Sequence, residues 1–91
     1  MPKYIIERDI PGVGSQSADE LRAAAQTSND VLSTLAPRVQ WQQSFVTGDK
    51  VYCVYIADDE QAIREHAELS GFPATQVSRV AAVLDPASAG T

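Results

Sequence analysis

Few side chains in this sequence can do chemistry near neutral pH, and they are spread thinly. His66 is the single histidine and Cys53 the single cysteine. Imidazole is the one side chain whose ordinary pKa lies close to neutrality, so His66 is the first candidate for a metal ligand or proton carrier. Its neighbours three and four residues away are Ala62, Ile63, Leu69 and Ser70, none of them a strong metal ligand. A metal shell around His66 therefore needs donors from the sheet, a loop or a partner chain. The plainer alternative is a helix histidine satisfied by a hydrogen bond in the core. Cys53 sits in the most apolar stretch, Val51-Tyr52-Cys53-Val54-Tyr55-Ile56, where a free cysteine behaves as a small hydrophobe.

Carboxylates occur in two short runs. Glu7-Arg8-Asp9 closes the first apolar stretch just before a glycine-containing loop. Alternate residues of a strand face opposite sides, so either these charges lie in solvent or one faces a cleft. Asp58-Asp59-Glu60 opens a helix, where capping and the helix dipole account for acidic residues and where oxygen ligands for a cation would also collect. Gly12-Val13-Gly14 lacks the third glycine and the Gly-Lys-Ser ending of phosphate-binding loops. A lone histidine specifies no Ser-His-acid triad, and nothing indicates an organic cofactor. Tyr4, Trp41, Phe45, Tyr52 and Tyr55 read as core or interface groups whose polar ends need partners when buried.

The elements that position these residues are clear in the pattern. Tyr4-Ile5-Ile6 marks a first strand over Lys3–Asp9, ended by Pro11-Gly12. Ser17-Ala18-Asp19-Glu20 has the form of a capping box. Leu21, Ala24, Ala25, Ser28, Leu32 and Leu35 then recur at helical spacing until Pro37. Val39, Trp41, Gln43 and Phe45 alternate with Gln40, Gln42, Ser44 and Val46, as in a half-buried strand. Thr47-Gly48-Asp49-Lys50 turns the chain into the apolar strand 51–56, and the two form a hairpin. Asp58 begins a second helix, with Gln61 completing a second capping box and Glu60 paired to Arg64; Gly71 ends it. Residues 76–84 supply a last strand. A single domain over 1–86 is followed by a small, polar tail, 87–91, that is expected to be mobile.

The order β-α-β-β-α-β predicts an α+β, ferredoxin-like fold: a four-stranded antiparallel sheet with both helices on one face. The first and third strands take the centre. Two helices cover only one face, yet both central strands offer apolar side chains to both. The uncovered face predicts a sheet-to-sheet homodimer.

Composition limits the partners. The chain has 91 residues, enough for one core. Twelve acidic against seven basic residues give a net charge of -5, and the basic residues stand singly, which argues against nucleic acid and anionic membrane. No apolar run approaches the roughly 20 residues of a membrane span. Charges at Glu7, Arg8 and Asp9 come too early for a signal peptide, so a cytoplasmic protein is expected.

Taken together, Tyr4-Ile5-Ile6-Glu7-Arg8-Asp9-Ile10-Pro11-Gly12, Val51-Tyr52-Cys53-Val54-Tyr55-Ile56-Ala57, Ile63-Arg64-Glu65-His66-Ala67 and Gly71-Phe72-Pro73-Ala74 resemble a family of small bacterial proteins with a domain of unknown function. That family includes a nickel-binding member from streptomycetes. The resemblance runs from about Tyr4 to Pro86. It implies a ferredoxin-like homodimer that binds nickel near the dimer surface, for sequestration or tolerance. On that reading His66 is the ligand best matched by motif and chemistry, with the nearby carboxylates Glu65, Asp58 and Asp59 as further candidates. The sequence does not separate nickel from other divalent metals.

Two functions follow. One is a non-enzymatic, metal-binding homodimer using His66. The other is a ligand-binding or enzymatic module with a cleft between sheet and helices, lined by His66, Glu7, Arg8 and Tyr55. Small monooxygenases and isomerases share the dimeric ferredoxin-like fold, an analogy of fold alone.

Overall fold

A computed structural model of the chain describes residues 1–90. The elements are β1 (Lys3–Asp9), α1 (Ala18–Leu35), β2 (Val39–Val46), β3 (Lys50–Ala57), α2 (Glu60–Ser70) and β4 (Gln76–Arg79). The strands form one antiparallel sheet in the order β2-β3-β1-β4, the ferredoxin-like arrangement, with β1 and β3 central as expected. Both helices pack on one face.

Local chemistry explains the helix ends. Ser17 Oγ accepts from the Glu20 backbone N–H at 3.1 Å, and Glu20 accepts from the Ser17 N–H, the reciprocal box read from the sequence. In α2 the cap is Asp59 and not Asp58: its carboxylate accepts from the Ala62 N–H at 2.9 Å. The third helical position is then Ala62, so Gln61 takes no part in a box. Gly71 closes α2 at φ 77°, a left-handed conformation that suits glycine.

Two strands differ from the simple pattern. β2 carries a bulge between Trp41 and Gln43. Trp41 pairs with Tyr55, but Gln43 then pairs with Val54 on the opposite face, and Ser44 pairs with Cys53. One extra residue reverses the alternation, so Ser44 and Val46 turn toward the helices while Gln43 and Phe45 face the uncovered side. β4 ends at Arg79, not at residue 84. Its neighbour β1 begins at Lys3, whose carbonyl accepts from the Val80 N–H; beyond that point no β1 residue is left to pair with. Residues 85–90 contain a short 3-10 turn, Pro86–Ala89, capped by Asp85; Thr91 of the expected tail lies outside the described residues.

The core lies between helices and sheet. Ile6, Leu35, Val39, Ala57, Ala62 and Ile63 fill its end near the start of β1. The uncovered face holds Ile5, Tyr52, Val54, Ile56 and Phe45, with Ile5 opposite Val54 and Phe45 opposite Tyr52. Among these, Phe45 is 53% exposed.

A candidate ligand cavity between helices and sheet

At the other end of the same layer the packing opens into a cavity of about 510 Å³. Its walls come from four elements and two loops. α1 contributes Leu21, Ala24, Ala25 and Ser28; β2 contributes Trp41, Ser44 and Val46; β3 contributes Val51, Cys53 and Tyr55. Arg8 of β1 lines it, as do Val13 from the β1–α1 loop and Phe72 and Pro73 from the α2–β4 loop.

The sequence builds this space by choosing small residues. Ala24, Ala25 and Ser28 lie on the buried stripe of α1, where Leu32 and Leu35 follow one and two turns later. Small side chains there leave the helix unable to fill the gap above the sheet. The β2 bulge supplies a polar wall, with the Trp41 indole donating to Ser44 Oγ at 2.9 Å. The β1–α1 loop is fastened to the β2–β3 turn: Ile10 and Gly14 donate to the carbonyls of Asp49 and Gly48, and Gly12 donates to the Asp49 carboxylate. Glycine is required at position 14, because a Cβ there would lie 2.6 Å from the Thr47 carbonyl oxygen. This docking seats Val13, 3% exposed, at the cavity wall.

Arg8 is the charged group of the site. It is 2% exposed. Its Nη1 donates to the Pro73 carbonyl at 2.8 Å, its Nε to Cys53 Sγ at 3.4 Å, and its guanidinium lies 5.8 Å from the Phe72 ring centroid. Among the described residues Nη2 has no hydrogen-bond partner, and no carboxylate pairs with Arg8.

His66 lies behind this wall, fully buried. Its Nε2 shares a 3.2 Å hydrogen bond with Ser28 Oγ, its ring stands 5.3 Å from that of Tyr55, and Nδ1 has no partner among the described residues. Burial, aided by the charge of Arg8, pushes the imidazole down to about 4, against hydrogen bonding at Ser28. His66 is therefore neutral at pH 7. Burial likewise pushes the Tyr55 phenol up, with Ser28 and Arg8 pulling the other way.

The sequence-derived candidates are thus separated. Arg8 and Tyr55 line the cavity, with His66 one hydrogen bond away through Ser28. Glu7, one residue along β1, faces the uncovered side and approaches Lys50 Nζ at 3.7 Å. Glu65 pairs with Arg38 at 3.1 Å, Asp59 caps α2, and Asp58 is exposed. The described residues contain no group of three or more His, Cys, Asp or Glu side chains able to hold a metal ion. Nothing in the residue pattern marks Ser44, Trp41 or Phe72 as site residues. The signal for the cavity was the exchange of Leu for Ala and Ser along one helical stripe.

Comparison with known proteins places this architecture. A search of the curated proteins finds no match. Among solved structures, the crystal structure of SCO4226 from Streptomyces coelicolor A3(2) superimposes with a TM-score of 0.76 at 18% identity, covering 90% of this chain and 99% of that one. At that identity the likeness speaks for the fold. The family model for the nickel responsive protein SCO4226-like matches residues 4–80, which takes in both helices and all four strands except Lys3, the first residue of β1. The chain belongs to the SCO4226-like family of nickel responsive proteins.

Proposed function

We propose that this chain is a ligand-binding domain that holds a small, largely apolar organic molecule between its helices and its sheet. The observation behind the reading is the 510 Å³ cavity, of ligand size and with one buried cation on its wall. The reading is non-enzymatic: His66 is buried behind Ser28 and neutral, and Cys53 is hydrogen-bonded to Arg8. Trp41 is the single tryptophan and lines the cavity, so its emission reports occupancy. Titration with octanoate, octanol and decanoate is expected to shift that emission, and Ala24→Phe, which fills the space, is expected to remove the shift. No response to any probe rejects the reading.

Membership of a nickel responsive family favours a second reading, a metal-binding homodimer. Its proposed ligands are His66, Glu65, Asp58 and Asp59. The donors within one chain do not fit a nickel ion as they stand, because the imidazole is sealed between Ser28 and Tyr55 and the carboxylates are occupied or apart. Calorimetric titration with nickel compares the two readings: nickel affinity unchanged by His66→Ala is expected, and loss of binding with the fold intact favours the metal reading. The uncovered face of the sheet supports pairing with a second copy through Ile5, Phe45, Tyr52 and Val54. Light scattering is expected to give the mass of two chains, and Val54→Asp the mass of one.

A further inference from the structure

We propose that Arg8 selects the ligand: the cavity takes an organic monocarboxylic acid, its carboxylate on the guanidinium and its apolar body along α1. This rests on the ligand-binding reading and adds the chemical class.

A guanidinium stays charged at any pH the fold survives, so Arg8 cannot escape its burial by losing a proton. Buried charges in proteins are ordinarily paired, because each loses its hydration on folding. Here the chain offers a carbonyl, a thiol, an aromatic ring and the nearby Tyr55 phenol, none carrying a full negative charge, and leaves Nη2 without a hydrogen-bond partner among the described residues. The missing partner is an anion. The planar fork of an arginine matches a carboxylate, which accepts two parallel N–H bonds. One cation with neutral neighbours balances one negative charge; a phosphate dianion would bring a second with nothing opposite it. His66 does not change that balance, being neutral behind Ser28.

The rest of the cavity suits the other end of such an acid. Val13, Leu21, Ala24, Ala25, Val46 and Val51 offer carbon to the ligand. Ser28, Ser44 and Tyr55 bring hydroxyls to the same cavity as Arg8. Phe72, on the α2–β4 loop and half-buried, places its ring beside the guanidinium at the same wall.

The test is calorimetric titration of the full chain with octanoate and octanol, which differ in the head group alone. Wild type is expected to bind octanoate about tenfold or more tightly than octanol. Arg8→Gln is expected to lose most of that gap while keeping octanol affinity, and Arg8→Lys to recover part of it. Equal affinity of wild type for the two probes overturns the carboxylate assignment and leaves the cavity reading standing. A gap that persists in Arg8→Gln also overturns it. Binding of neither probe overturns both. The wild-type comparison needs no variant, so a failure of Arg8→Gln to fold does not shield the proposal.

Discussion

The layer between helices and sheet is built twice from the same kind of parts, with opposite results. At one end α1 presents Val31, Leu32 and Leu35 to Ile6, Val39 and Ala57, and Ala62 and Ile63 of α2 complete a solid core. At the other end the same stripe of α1 presents Leu21, Ala24, Ala25 and Ser28 to Arg8, Cys53 and Ser44, and a cavity remains. Spacing is helical throughout; only side-chain volume changes. The fold's stability is therefore concentrated in the packed end, which leaves the hollow end free to carry a buried charge and an unfilled volume that a purely structural layer would not keep.

Substitutions can break that contrast, and the largest effect belongs to the packed end. Ile63→Ala is expected to cost about 2–5 kcal/mol in urea denaturation, since Ile63 is 1% exposed and its removal leaves a cavity the neighbours cannot close. If the contrast holds, Ala24→Leu at the hollow end changes stability by less than about 1.5 kcal/mol, because the added carbons enter space that already exists.

Between these lies the pH dependence set by His66. Its folded pKa is lowered to about 4 from 6.5, so the unfolded chain binds the proton more readily. The contribution is complete above pH 6.5 and is lost as pH falls toward 4, by roughly 1–3 kcal/mol. Stability measured across that window is expected to fall with acid in wild type and to fall less in His66→Gln. An unchanged slope in the variant would mean that His66 does not stay neutral in the folded protein.

The smallest expected change is at the helix start. Ser17→Ala removes the hydroxyl that accepts from the Glu20 N–H, leaving the backbone N–H bond to the Glu20 carboxylate, and is expected to cost about 1 kcal/mol in the same denaturation measurement. Its effect on octanoate binding would sharpen the comparison further. The cap lies just before Leu21, so fraying there is expected to weaken the hollow end before the packed one.

Much of this architecture can be read from residue patterns. The βαββαβ order, the Ser17–Glu20 box and the Gly71 stop follow from local signals that the fold does not override, and the central place of β1 and β3 follows from that order with right-handed crossovers. The bulge at Trp41/Gln43 has no such signal, since Gln42 and Gln43 fit either face; only pairing with β3 decides which one is extra. The early end of β4 depends on where β1 begins, a fact about another strand. The site was legible in part. Arg8 and Tyr55 stand out in the sequence and line the cavity, whereas Glu7, their companion candidate, faces the other side because neighbours on a strand point apart. His66 drew attention for its chemistry, whereas its position on α2 seals it against Tyr55 and Ser28. What the pattern does not express is volume: Ala24, Ala25 and Ser28 read as an ordinary buried stripe until the opposing sheet shows how much space they leave.

The central claim, that the small ligand binds in the hollow end and not on the uncovered sheet face, is tested most directly by mapping amide chemical shifts during an octanoate titration. The account predicts saturable shifts grouped at Arg8, Val13, Ala24, Ser28, Trp41 and Cys53, with Ile5, Phe45 and Val54 unmoved. Shifts confined to the uncovered face, or none at all, would contradict it.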